Sequence, residues 1–255
     1  MGASPPLRHV AFIMDGNGRW AKARGKLRTS GHRAGAETVR RVVRHAGNLG
    51  IPYLTLYAFS TENWSRPRVE VEALMRLIER FLRTETPELN ANGVRLVAIG
   101  DVDRLPGKVR RSLDGAIAAT RGNERLTLAL ALNYGGRDEI VRAARKAAEQ
   151  LVLDGQGVDG LTAESIARCL DAPDMPNPDL VVRTAGEMRL SNFLIWQAAY
   201  AELYWSAKTW PEFGEADFDA AVAEYDRRVR KFGGGNPSDS DTARLREYAG
   251  RGLKL

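Results

Sequence analysis

His9-Val10-Ala11-Phe12-Ile13-Met14-Asp15-Gly16-Asn17-Gly18-Arg19-Trp20 is an apolar run that breaks abruptly into a carboxylate, two glycines and an asparagine. It reads as a strand, expected from Val10 to Met14, followed by a tight turn. Working outward, the same grammar recurs. Short apolar runs predict strands at Tyr53 to Phe59, Val94 to Ile99, Leu126 to Leu132, Leu180 to Arg183 and, more weakly, Leu203 to Trp205. Stretches of helical period separate them, which predicts an α/β fold: one domain with a largely parallel sheet of about six strands covered by helices. Between the first two strands Ala36, Val39, Val42, Val43 and Ala46 form one apolar stripe, with Gly47 and Gly50 expected to end the helix. From Val69 to Leu82 the set Leu74, Leu77, Ile78, Phe81 and Leu82 makes a face too broad for an ordinary surface helix. Periodicity favours core packing there over the wall of an apolar ligand cavity. The expected organisation is an arm over 1–8, one domain over 9–234 and a polar, flexible tail over 235–255.

The chain has 255 residues, 44% hydrophobic, enough for a sizeable core in one domain. A single cysteine, Cys169, excludes a disulfide framework and a multi-thiolate metal cluster. With no signal-like apolar start, a reducing cytosolic setting is expected. No run approaches the ~20 apolar residues that cross a bilayer, so a lipid substrate would be met from the water side. A formal charge of +6 suits phosphates of any kind, whether nucleic acid, headgroup or diphosphate.

The chemistry concentrates at strand ends. In a parallel sheet, ligands sit beyond the carboxyl ends of strands, and a Gly-rich turn brings backbone N–H groups close to a phosphate. Asp15 is thus a candidate ligand for magnesium, which takes one or two carboxylates plus substrate phosphates. The bare turn is equally compatible with a simple Asp-Gly turn. The crowding of Arg19, Lys22, Arg24, Lys26, Arg28, His32 and Arg33 just after it favours the ligand site. Other strand ends add Ser60-Thr61-Glu62-Asn63-Trp64-Ser65-Arg66, Asn133-Tyr134-Gly135-Gly136-Arg137, and Arg183 with Arg189 and Ser191. Arginine presents a planar fork of donors, and Ser191 is expected just before a helix near Asn192. Together these ends predict a cleft for more than one phosphate group.

Taken in order, these blocks resemble the cis-prenyltransferase family, which in bacteria is represented by undecaprenyl diphosphate synthase. The resemblance spans His9 to Gly234. It is carried by His9 to Ala21, Gly31-His32-Arg33-Ala34-Gly35, Tyr57 to Trp64, Asn133 to Arg137, Asp179 to Thr184, Arg189 to Leu194, Trp196-Gln197, Tyr200 to Tyr204 and Trp210-Pro211. It implies a magnesium-dependent transferase that condenses isopentenyl diphosphate with an allylic diphosphate. The product implied is a long-chain Z-polyprenyl diphosphate, grown in an apolar tunnel. Catalytic residues are then Asp15 and Asn63, with Asp15 and Glu202 holding the metal. Gly16, Asn17, Gly18, Arg19, Trp20, Arg28, His32, Ser60, Glu62, Trp64 and Arg66 would serve the allylic diphosphate, the 63–66 segment as a mobile loop. Arg183, Arg189 and Ser191 would serve isopentenyl diphosphate, and Ala58, Leu74, Ile78 and Phe81 the tunnel and product length. A small residue at Ala58 implies a long product, and no insertion between Phe81 and Asn92 implies one near undecaprenyl rather than longer.

The resemblance further implies a homodimer, formed through Glu202 to Trp210 and a helix from Glu215 to Lys231. It also implies a cytoplasmic enzyme that touches the inner membrane face to release product. Two departures stand out. Met188 replaces a histidine or glutamine of many relatives, and a thioether is a poor magnesium ligand. Lys231-Phe232-Gly233 replaces Arg-x-Gly, which keeps the charge but loses the bidentate fork and implies weaker isopentenyl diphosphate binding. The alternatives are a non-catalytic partner subunit, against which Asp15, Arg19, Arg28, Arg183 and Arg189 speak, and a nucleic-acid-binding module stacking bases on Trp20 or Trp64. No nucleic-acid partner is expected.

Overall fold

The computed structural model describes residues 6–228. The tail and Lys231 lie outside them, as does most of the N-terminal arm. In chain order the described residues form β1 (His9–Ile13), α1 (Asn17–Lys22), α2 (Arg28–Asn48), β2 (Tyr53–Ser60), α3 (Arg68–Ala91), β3 (Val94–Ile99) and α4 (Gly107–Thr120). There follow β4 (Leu126–Tyr134), α5 (Gly136–Leu153), α6 (Ala163–Ala167), β5 (Leu180–Arg183), β6 (Glu202–Trp205) and α7 (Glu215–Arg227). The six strands make one sheet in the order β3-β4-β2-β1-β5-β6, and every pairing is parallel. All strand carboxyl ends therefore share one edge of the sheet.

Alternation along the strands sorts the two faces. Val10 and Phe12 of β1, with Leu126, Leu128, Leu130 and Leu132 of β4, join the large core under α2, α3, α4 and α7. Ala11, Ile13 and Ala131 face the opposite side, packed on Phe193, Leu194 and Ala198. Phe12 is the hub of the large core, with its ring edge-on to Phe213 and Phe218 and tilted against Trp210. At the start of β1, the Arg8 and His9 amides both donate to Asp179 Oδ2, at 2.8 and 3.0 Å, which sets the register against β5.

Three expectations need correction. Gly47 does not end α2, which runs on to Asn48; Gly50, at φ +72°, takes the left-handed turn. The helix begins at Arg28, ahead of the apolar stripe, so part of the basic run is helical. Gly31 and Gly35 do not break it because they are sites of close approach. A Cβ would stand 2.0 Å from the Asn17 carbonyl oxygen at Gly31 and 2.4 Å from Asn17 Oδ1 at Gly35. The second broad helix continues past Leu82 to Ala91 despite Pro87, held by the Arg40–Glu85 ion pair to α2 and by buried Leu89. No helix starts near Asn192. Ser191, Asn192 and Leu194 all have positive φ, because tertiary hydrogen bonds claim the segment: Gly136 N–H donates to the Asn192 carbonyl at 2.7 Å and Arg137 N–H to Asn192 Oδ1 at 2.9 Å.

Phe12 is fully buried. Phe12→Ala is expected to cost about 3–5 kcal/mol, measured by denaturant unfolding; a loss below ~1 kcal/mol would show that the aromatic cluster does not anchor the sheet.

Candidate active site

β1 and β5 are neighbours with Ile13 opposite Arg183, yet the chain leaves β1 towards β2 and leaves β5 towards β6. Such a parting of loops opens a crevice at the carboxyl edge. Asp15 and Arg183 meet there, Oδ2 to Nη2 at 2.9 Å, with the Arg183 side chain only 4% exposed. Thr184 ties the two ends together: its hydroxyl accepts from Asp15 N–H at 2.9 Å and donates to the Asp15 carbonyl at 2.8 Å. Arg183 Nη1 also donates to Ser191 Oγ at 2.7 Å and to the Arg189 carbonyl at 2.5 Å. The strained Ser191 loop thus shapes itself round a buried guanidinium. Gly16 N–H donates to Asp15 Oδ1 at 2.6 Å, and Arg19 Nη2 lies 3.5 Å from the same oxygen.

Across the crevice, the close packing of α2 on α1 presents Asn17, Gly18, Arg28 and His32 to the same cavity. Glu70, in the first turn of α3 and buried, draws three basic groups together: Arg66 at 3.0 Å, Arg28 at 3.2 Å and His32 Nε2 at 3.7 Å. Sequence reasoning missed Glu70. Its signal was available, a carboxylate four residues before Leu74 on the apolar stripe and four after Arg66.

From this polar mouth one cavity of about 590 Å³ runs inward. Its walls become apolar between α2 and α3, with Ala36 and Val39 on one side, Leu74, Leu77, Ile78 and Phe81 on the other, and Ala58 with Leu130 beneath. The broad face of α3 thus serves both readings, since Leu82 packs in the core while Leu77 and Ile78 wall the cavity. Among the described residues, four buried side-chain polar atoms lack a hydrogen-bond partner, and three of them, Asn17 Oδ1, His32 Nε2 and Arg183 Nε, belong to cavity-lining residues. Such atoms normally find partners, so the mouth is built for a polar ligand.

The cavity brings together Asp15, Gly16, Asn17, Gly18, Arg28, His32, Ala58, Ser60, Glu62, Asn63, Arg66, Leu74, Ile78, Phe81, Arg183 and Ser191. Other predicted residues lie outside its lining. Arg19 pairs with Glu187 and borders an adjoining basic groove with Asp15 and Lys22. Arg189, exposed, pairs with Glu187. Trp20 stacks under Arg24 and Lys26, and Trp64 donates to Asn133 Oδ1 at 2.7 Å. The end of β4 therefore supports the mouth through Trp64 rather than lining it.

Glu202 is a correction. It pairs in register with Leu180, and Leu180 with Val10, at the amino end of the sheet. Asp15 lies five residues further along, roughly 16 Å up the strand direction. Within one chain the two carboxylates do not share a metal, and Glu202 instead meets Arg228 at 2.7 Å.

Burial alone would raise the Asp15 carboxyl, but the Arg183 hydrogen bond, the Gly16 N–H and the charges of Arg183 and Arg19 outweigh it and hold the pKa below its usual value. Burial, with Arg66 and Arg28 opposing Glu70, brings His32 down to about 4, so it is neutral at neutral pH.

Comparison with known proteins follows the same outline. The family model described as "Putative undecaprenyl diphosphate synthase" matches residues 13–233. An isoprenyl transferase of Clostridium perfringens is 48% identical over 227 residues, 89% of this chain and 90% of that one. Isoprenyl transferase 2 of Bradyrhizobium diazoefficiens is 50% identical over 226 residues, with the same coverage of each chain. Among solved structures, lavandulyl diphosphate synthase from Lavandula x intermedia, in complex with dimethylallyl diphosphate, superposes with a TM-score of 0.87 at 39% identity, covering 89% of this chain and 98% of that one. A probable undecaprenyl diphosphate synthase from Campylobacter jejuni gives 0.75 at 34% identity, covering 90% and 100%.

The Asp15–Arg183 pair contributes stability above the ordinary carboxylate range and loses it as pH falls through the lowered Asp15 pKa. In Arg183→Gln the burial effect is left unopposed by that cation, so the Asp15 carboxyl should titrate higher than in the wild type by carbon-13 NMR. An unmoved midpoint would mean that Gly16 and Arg19 suffice to hold it.

Proposed function

The chain belongs to the undecaprenyl diphosphate synthase family of isoprenyl transferases, and from that premise we propose that it condenses isopentenyl diphosphate with an allylic diphosphate, farnesyl diphosphate as starter, into a long-chain Z-polyprenyl diphosphate. The observation that carries this reading is one continuous cavity that is polar and arginine-lined at its mouth and apolar along its length. An allylic diphosphate has the same division into head and tail. The dimethylallyl diphosphate bound in the lavandulyl enzyme is of this substrate class.

In the proposed site the backbone of Gly16 to Gly18, with Asn17, Arg28 and neutral His32, holds the allylic diphosphate. Ser60 at the end of β2, with Glu62 and Arg66 just after it, borders the allylic diphosphate, while Trp64, Arg19 and Trp20 act from outside the cavity lining. Arg183, Arg189 and Ser191 hold isopentenyl diphosphate, with Arg183 Nε the open donor. The allylic carbon–oxygen bond breaks with its electrons on the departing diphosphate. The isopentenyl double bond supplies the pair for the new carbon–carbon bond, and a proton passes from its C2 to the departing diphosphate as the Z double bond forms. Fixed guanidinium groups in a partly dry cleft stabilise the charge that grows on the leaving group. Asn63, at the mouth, positions the isopentenyl unit.

The residues present fit magnesium. Asp15 is ionised and partly exposed, and no cluster of three His, Cys, Asp or Glu among the described residues could hold a metal without substrate. One carboxylate completed by phosphate oxygens and water is a usual magnesium arrangement. Met188, 73% exposed, offers only a thioether. When bound, the ion supplies further positive charge to the leaving diphosphate.

The proposal extends to a homodimer that uses the outer edge of β6 with α7, and to brief membrane contact at product release. No helix among the described residues is long and apolar enough to cross a membrane.

Purified protein given farnesyl diphosphate, magnesium and labelled isopentenyl diphosphate should yield a magnesium-dependent ladder that ends in one long polyprenol. Asp15→Asn should lower turnover about 10²-fold or more. Absence of incorporation with every allylic starter would overturn the reading. Ala58 borders the apolar channel, and Ala58→Leu should shorten the ladder; an unaltered ladder would remove Ala58 from control of product length.

A further inference from the structure

Beyond the inner end of the main cavity lies a second, much smaller one of about 40 Å³. Phe81 lines both. The two follow the same three elements towards the amino ends of the strands. On α2 the lining passes from Val39 to Val43, on α3 from Ile78 through Phe81 to Glu85, and on β4 from Leu130 to Leu126. The apolar channel therefore does not end on solid core. It ends on one aromatic ring with a further space behind it.

That space differs in chemistry from the channel. Arg40 of α2 makes a two-point bond to Glu85 of α3, Nε to Oε2 at 2.5 Å and Nη2 to Oε1 at 2.6 Å. The Glu85 side chain is only 7% exposed, and Thr84 donates to its Oε1 at 2.7 Å. Arg44 and Glu88 repeat the bridge one turn on at 2.7 Å. Hydrocarbon that passed Phe81 would meet charged groups already satisfied by one another. Parting them would leave a carboxylate buried without its cation, a penalty larger than the benefit of burying a few more methylenes.

Resting on the prenyl-transfer reading, we infer that the channel has a two-part stop: the Phe81 ring as its floor, and the Arg40–Glu85 pair as a polar seal that keeps a growing apolar chain out of the space beneath. Product length is then limited by a charged barrier as well as by bulk. Phe81→Ala joins the two spaces but leaves the seal, so it admits only a small extension. Replacing the pair by apolar residues of similar size removes the barrier; the Arg40 side chain is 34% exposed and Glu85 7%, and exchanging both together leaves no buried carboxylate without its cation.

The test compares product ladders and total incorporation for the wild type, Phe81→Ala, the double variant Arg40→Met with Glu85→Leu, and the triple variant. Phe81→Ala should move the end of the ladder to a slightly longer product, since the space it opens is small. The double variant should incorporate label within a few-fold of wild type, with little change in length, because Phe81 still closes the floor. The triple variant should run longest, with a broad ladder and no sharp end. Identical ladders in all four, or a triple variant no longer than Phe81→Ala, would overturn the seal. Failure of the wild type itself to incorporate label would instead count against prenyl transfer. If Phe81→Ala does not fold by circular dichroism, Phe81→Leu takes its place, with the same order of lengths expected.

Discussion

A hydrogen-bonded ion pair at the carboxyl edge, Asp15 to Arg183, is the interaction on which the rest of this structure turns. It exists because β1 and β5 are parallel neighbours whose chains then part in opposite directions. The guanidinium is buried to a degree that arginine rarely tolerates; its two Nη groups are held by the carboxylate, Ser191 Oγ and the Arg189 carbonyl, while Nε is left without a partner. The contorted 185–194 segment follows from this. Its positive-φ residues bear local strain so that backbone and side-chain acceptors can surround one buried cation. A single constraint thus orders the carboxylate, the anion site and the loop beside them.

The second organising feature is the division of labour along α3. Its first turn carries Glu70, which gathers Arg28, Arg66 and His32 at the mouth. Its middle supplies the apolar wall, and its end is strapped to α2 by charge pairs. A channel between two helices is an absence of packing, and it weakens the contact between them. The straps at its far end and the bridges from Glu70 to Arg28 and His32 at its near end restore that contact without filling the middle.

Much of this was legible in the residues themselves. The strand positions followed from apolar runs, and a parallel sheet followed from the alternation of strands with helical stretches. That a carboxylate, a glycine turn and several arginines sit at strand ends was visible too, and in a parallel sheet such residues gather at one edge. Other expectations failed for identifiable reasons. Gly47 was expected to end α2 yet lies within it, because the left-handed turn falls at Gly50. A helix at Asn192 was reasonable on local grounds and lost to hydrogen bonds from Gly136 and Arg137.

The sequence alone determined the class of fold, the location of the anion-binding chemistry at strand ends and the family to which the chain belongs, since these rest on local periodicity and on ordered blocks of residues. Only the tertiary structure decided which of those residues share a cavity. It separated Glu202 from Asp15 by the length of a strand, enlisted Glu70 and Thr184, and left a channel rather than a packed seam between α2 and α3. The physical reason is that register, close approach and burial are set between elements far apart in the chain, whereas periodicity records only which face of each element is apolar.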